Sequence, residues 1–132
     1  MSESDVAIVL AHGELAAGLV SAVHQITGRG DRFLALSNSG LGTREIEALL
    51  RERLDATGAH VIFTDLPAGS CNFAACRLLR ERSDLVVVTG VNLPALLHYA
   101  THDSVPGSEA AAGAAERGTA SLTVLTGSAR EH

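Results

Sequence analysis

Short apolar, largely β-branched runs alternate with longer amphipathic stretches along this chain. No other feature constrains the fold as strongly. Val6-Ala-Ile-Val-Leu-Ala11 is apolar at every position, so an extended chain there has no solvent face and reads as a strand buried on both sides. Glu14 to Thr27 follows, with Leu15, Leu19, Val23 and Ile26 at helical spacing and Gly28 as a stop. Arg32 to Leu36 is a second strand, and Ser37 to Gly42 a turn. Thr43 is an N-cap for a helix through Ala56, with Ile46, Leu49, Leu50 and Leu54 as its stripe and Gly58 at its end. Val61-Ile-Phe-Thr64 is a third strand, Asp65 to Ser70 a loop, and Asn72 to Arg82 a helix. Leu85 to Thr89 is the fourth strand. A helix begins near Leu93, with Pro94 tolerated in its first turn, and Glu109 to Arg117 is a further Ala-rich helix. Ser121 to Leu125 reads as a last strand and the residues after it as a tail.

Strands without a polar face, separated by helices, imply a three-layer α/β fold: an open, mostly parallel sheet covered on both faces. At 132 residues one domain spanning 1–132 is expected, with its core at about 5–126 and a tail at 127–132. A chain of this size buries roughly two-thirds of its unfolded surface, enough for a core without metals or disulfides. With 3% aromatic residues, Val, Leu, Ile and Ala must build most of it.

Charge narrows the function classes. The net charge is -5, and all ten basic residues are arginine, which leaves no positive field for nucleic acid or an anionic membrane surface. No apolar run is long enough for a bilayer span, and the polar Met1-Ser-Glu-Ser-Asp5 is no signal peptide, so a cytoplasmic location is expected. Cys71 and Cys76 read as reduced thiols. Without Lys there is no phosphate-loop motif, and the glycines match neither Gly-x-Gly-x-x-Gly nor Gly-x-Ser-x-Gly. His98 and His102 have the spacing of metal ligands but sit where a helix ends, with no accompanying acidic pattern; no metal or other cofactor is expected.

In such sheets ligands meet the loops that leave the carboxyl ends of the strands, next to the point where strand order reverses. Four loops qualify: His12-Gly13, Asn38-Ser-Gly40, Asp65 to Ser70, and Gly90-Val-Asn92. His12 closes the first strand and Asp65 the third, and those strands are often neighbours. A carboxylate accepting one imidazole N–H fixes the tautomer and makes the other nitrogen the better nucleophile. Ser70 and the backbone around Gly69, at a helix N-terminus, suit a phosphoryl group's oxygens. The residues by themselves leave two readings open: a phosphoryl-accepting histidine, or a strand-end histidine beside a turn-forming aspartate.

The segments Ile8-Val-Leu-Ala-His12-Gly13, Thr64-Asp65-Leu66 with Gly69-Ser70, and Val88-Thr-Gly-Val-Asn-Leu-Pro94 together resemble the enzyme IIA component of the mannose-type sugar phosphotransferase system. The resemblance implies four parallel strands in the order 2-1-3-4, with a C-terminal antiparallel strand, here Ser121 to Leu125, that is exchanged across a homodimer in some members. It implies a phosphotransferase working through phosphohistidine, with His12 as acceptor, Asp65 orienting it, and Ser70, Gly69 and Gly13 around the phosphate. The phosphocarrier HPr is the implied donor and a IIB component the acceptor, with membrane transporter components reached only through such partners. Leu66, Phe73, Asn92 and Leu93 are the candidate partner contacts.

The sequence departs from the family pattern in one loop. Asp-x-x-Gly-Gly-Ser-Pro, followed by an aromatic residue, becomes Asp65-Leu-Pro-Ala-Gly-Ser-Cys-Asn-Phe73. Ala68 stands for a glycine and Cys71 for a proline, and an alanine is costly wherever the backbone needs a positive φ. That departure keeps two alternatives in view: a non-catalytic regulatory module of the same fold, and the phosphotransferase subunit of a dihydroxyacetone kinase.

Overall fold

The computed structural model describes residues 6–127. Its strands are β1 (Ala7–Ala11), β2 (Phe33–Ser37), β3 (Val61–Thr64) and β4 (Val86–Val88). Its helices are α1 (Leu15–Thr27), α2 (Thr43–Thr57), α3 (Ser70–Leu79), α4 (Leu93–Thr101) and α5 (Gly107–Ala120), with one 3-10 turn at Gly30–Arg32 before β2. The sheet is parallel throughout in the order β2-β1-β3-β4. Ala11 pairs with Ser37 and Leu10 with Thr64, so β1, β2 and β3 finish at one level.

Alternation along the strands sorts the core into two layers. Ala7, Val9, Ala11, Val61 and Phe63 face α1, α4 and α5. Ile8, Leu10 and Ile62 face α2 and α3. Every residue of β1 and β3 is buried, as their apolar runs require, and the polar Thr64 that ends β3 is buried with them. Aliphatic side chains and alanine supply most of the core, but three of the four aromatics join it. Phe33, Phe63 and Tyr99 form one cluster, with ring centroids 5.4–6.2 Å apart. The fourth aromatic, Phe73, is 58% exposed.

Several expectations are corrected. Ser121 to Leu125 forms no strand among the described residues; Leu122, Val124 and Leu125 lie 85–88% exposed. Its β propensity is real, but the segment leaves α5 without reaching a free edge of its own sheet. The α1 stripe is only partly covered: Val23 is buried, whereas Leu15 and Ile26 are 46% and 60% exposed. Gly42, not Thr43, is the N-cap of α2, and Glu45 Oε1 accepts its N–H at 2.7 Å. The helix predicted from Asn72 begins two residues earlier, at Ser70. The tail at 127–132 lies outside the described residues beyond Gly127, as do residues 1–5.

Candidate functional site

β1 connects outward to β2 on one side while β3 lies on the other, so the sheet's switch point falls between the carboxyl ends of β1 and β3. His12 is the residue after β1, and Asp65 the residue after β3. The topology therefore brings together side chains 53 positions apart. His12 Nδ1 lies 2.8 Å from Asp65 Oδ2, and the same oxygen accepts the His12 backbone N–H at 3.0 Å. The Asp65 side chain is only 8% exposed and the His12 side chain 48%. A buried anion thus holds the inner edge of a ring whose body reaches solvent.

The protonation state follows from those contacts. Burial pushes the Asp65 carboxyl up, but the His12 backbone N–H, the ring hydrogen bond and the ring's charge outweigh it. The group lies below its usual value. An ionised carboxylate only accepts, so Nδ1 carries the donated proton. In the neutral ring, Nε2 then bears the lone pair. The second Asp65 oxygen, Oδ1, is buried without a hydrogen-bond partner among the described residues.

The loop from Asp65 to Gly69 is held by its own helix. Asn72 Nδ2 donates to Pro67 O at 3.0 Å, and buried Thr64 Oγ1 donates to Asn72 Oδ1 at 3.4 Å. Asn72 is a positioning residue that sequence reasoning passed over, because its partners lie in a loop of unspecified shape. Gly69 adopts φ +100 and ψ 179, a conformation essentially confined to glycine, and a Cβ there would lie 3.9 Å from His12 Cε1. Gly69 thus places the N-terminus of α3 against the ring between its two nitrogens. The first turn of α3, at Ser70, Cys71 and Asn72, presents backbone N–H groups of the kind that bind anions. Gly13, at φ +57, makes the matching turn out of β1. Ala68 needs no special conformation, since no described residue other than glycine has a positive φ.

The four candidate contact residues divide. Leu66 (52% exposed) and Phe73 (58%) stand in solvent beside the site. Asn92 and Leu93 are half-buried and serve the fold. Asn92 Oδ1 accepts from Ala95 N at 3.1 Å and its Nδ2 donates to Gly118 O at 3.0 Å, while Leu93 packs on the core. Leu15, three residues after His12 and 46% exposed, joins the exposed apolar group. Its helical spacing is that of a core-facing residue. Cys71 is buried at the second position of α3. Burial and the Asp65 charge push its thiol up to about 11, against an opposing Ser70 hydrogen bond.

The profile of the EIIA-man family, described as the PTS system fructose IIA component, matches residues 7–115. The chain belongs to this family. Solved structures agree in fold. The mannose/sorbose specific IIA subunit of the phosphotransferase system from Enterococcus faecalis superposes with a TM-score of 0.79 at 20% identity, covering 96% of each chain. The PTS IIA protein associated with the fucose utilization operon of Streptococcus pneumoniae gives 0.78 at 23% identity over 100% of both chains. A putative phosphoenolpyruvate-dependent sugar phosphotransferase system permease from Klebsiella pneumoniae gives 0.77 at 25% identity, covering 98% of this chain and 95% of the other. No curated protein matches the sequence. Membership in the EIIA-man family implies a phosphocarrier role within sugar transport. No helix among the described residues is long and apolar enough to cross a membrane.

Proposed function

We propose that this EIIA-man domain accepts a phosphoryl group from phosphorylated HPr on His12 Nε2 and passes it to a IIB component. The observation that carries the reading is the 2.8 Å contact between His12 Nδ1 and Asp65 Oδ2, which leaves Nε2 as the nucleophile. Nε2 attacks the phosphorus of the donor phosphohistidine, a new N–P bond forms, and the donor's N–P bond breaks with its electron pair returning to the donor ring. The His12 ring becomes cationic while it keeps its Nδ1 proton, and Asp65 stabilises that charge. Ser70 and the first-turn N–H groups of α3, reached through Gly69, hold the phosphoryl oxygens, and Gly13 keeps the approach to the ring open. The reverse displacement, by a nucleophile of IIB, empties the site. The donor already carries a high-energy N–P bond, so the chemistry is positioning and electrostatics without nucleotide or metal.

Leu15, Leu66 and Phe73 supply the docking surface. Leaving one of four aromatics in solvent on α3, three residues after Ser70, suits a partner that covers it transiently. The protein acts in the cytoplasm as a homodimer and meets the membrane only through transporter components. The test is phosphorylation by HPr and its phosphorylating enzyme. Wild type becomes labelled on a histidine and His12→Ala does not; label retained by His12→Ala overturns the assignment.

A further inference from the structure

Cys71 occupies the position where the family pattern carries proline, and the fold puts it in the same cluster as the two site residues. One donor atom from each of His12, Asp65 and Cys71 lies within 4.8 Å of the others. We propose that these three side chains form a binding site for a thiophilic divalent cation of the zinc type, and that filling it silences the histidine.

Three observations converge on it. The donors are one imidazole nitrogen, one carboxylate oxygen and one sulfur, a set that suits zinc and not magnesium or calcium. Bonds of about 2.0 Å to N and O and about 2.3 Å to S put tetrahedral donors roughly 3.3–3.6 Å apart, so the widest pair closes by up to about 1.5 Å while His12 Nδ1 and Asp65 Oδ2, now 2.8 Å apart, open slightly. The Asp65 side chain is 8% exposed and its Oδ1 has no hydrogen-bond partner among the described residues, so a buried acceptor oxygen at this cluster lacks a positive partner. The N-terminus of α3 disfavours a bare cation, but carboxylate and thiolate together make the filled site neutral.

Binding balances simply. The Cys71 S–H bond breaks and its proton leaves to water as the metal–sulfur bond forms. The metal takes the Nδ1 lone pair, and the ring proton that Nδ1 had donated to Asp65 moves to Nε2. A ring protonated at Nε2 has no lone pair for phosphorus. The metal-loaded form is therefore unable to accept a phosphoryl group, a consequence that rests on the phosphocarrier reading, whereas metal binding does not.

Cobalt(II) is the probe, titrated into the metal-free protein. One equivalent per chain is expected to give a thiolate-to-cobalt charge-transfer band that zinc abolishes by displacement. Cys76→Ser keeps the band. Cys71→Ser loses it, and His12→Gln, a change at a half-exposed side chain, weakens binding by at least about 100-fold. Circular dichroism checks the fold of Cys71→Ser, and Cys71→Ala serves as the second variant. Absence of the band in wild type, or its persistence in Cys71→Ser, overturns the site. In a second arm, purified phospho-HPr labels metal-free wild type, and zinc blocks the labelling in wild type but not in Cys71→Ser. Equal labelling of wild type with and without bound zinc overturns the silencing. A cobalt band without labelling in metal-free protein keeps the site and removes the phosphocarrier reading; labelling without a band does the reverse.

Discussion

Asp65 Oδ2 accepts from His12 twice, from the ring at 2.8 Å and from the backbone at 3.0 Å, so one oxygen fixes both where the histidine sits and which way its ring faces. Asp65→Asn keeps the size of the side chain but removes its charge and lets an amide nitrogen face a ring N–H. The ring loses its enforced tautomer and the developing cation its counter-charge. Transfer from phospho-HPr is expected to slow by roughly 100-fold or more with the fold intact. Rapid-quench rates measure it, and a rate within a few-fold of wild type removes Asp65 from the chemistry.

The same contact sets a pH dependence of stability. The folded carboxyl titrates below its usual value, whereas the unfolded one titrates near about 3.9. A lowered folded value means that the added stability is present above about pH 3.9 and is lost as pH falls through the folded value. The gap in unfolding free energy between wild type and Asp65→Asn is therefore expected at pH 5 and shrinks towards pH 3. Urea titrations across that range check the sign, and a gap that widens on acidification refutes it.

The loop that departs from the family pattern separates two small residues. Gly69 has φ +100 and ψ 179, so Gly69→Ala is expected to cost about 1–3 kcal/mol and to misplace the start of α3, impairing transfer as well as stability. Space is not the cause, because the added Cβ meets His12 Cε1 at an ordinary 3.9 Å. Ala68 has no positive φ, so Ala68→Gly leaves transfer unchanged and costs about 0.4–1 kcal/mol through the unfolded chain. Comparable transfer rates for the two variants would contradict this assignment of the strain.

Much of this site was legible because β1 is apolar at every position and β3 at every position but its last, Thr64, which forces a covered parallel sheet and sends ligands to its carboxyl edge. His12 and Asp65 follow from that rule. Asn72 and Leu15 do not: one is defined by a loop conformation, and the other has the spacing of a core residue but sits at a helix start that nothing covers. Ser121 to Leu125 misleads in the opposite way. Its residues favour a strand, but a strand needs a neighbour, and propensity says nothing of where one lies. The place of Cys71 is likewise a matter of geometry, since neither its burial nor its distance from Asp65 is written in the spacing of the cysteines.

Gly118 is held by close approach. A Cβ there would lie 2.8 Å from Asn92 Oδ1 and 3.1 Å from Ala95 Cβ, and Gly118 O accepts from Asn92 Nδ2. Alanine favours a helix interior by about 1 kcal/mol over glycine. The clash instead displaces the Asn92 side chain that caps α4 and ties it to α5. Gly118→Ala is expected to destabilise by about 1–2 kcal/mol in spite of its helix propensity. Thermal unfolding tests this, and a raised midpoint would show that α5 yields.

The exposed segment after α5 gives the last prediction. Leu122, Val124 and Leu125 expose 85–88% of their surface, an amount of apolar area that a lone chain has no reason to leave in water. The sheet meanwhile ends on β2 and β4, each with an outer edge unpaired by another strand among the described residues. A second copy resolves both problems, because the segment of one chain can lie along an edge of the other and bury its apolar side chains there. Light scattering is expected to give twice the 13.6 kDa chain mass, and Val124→Asp to shift the population to single chains. His12 labelling in that variant tells whether transfer requires the dimer. A wild-type protein that stays monomeric at high concentration would leave the segment without this role.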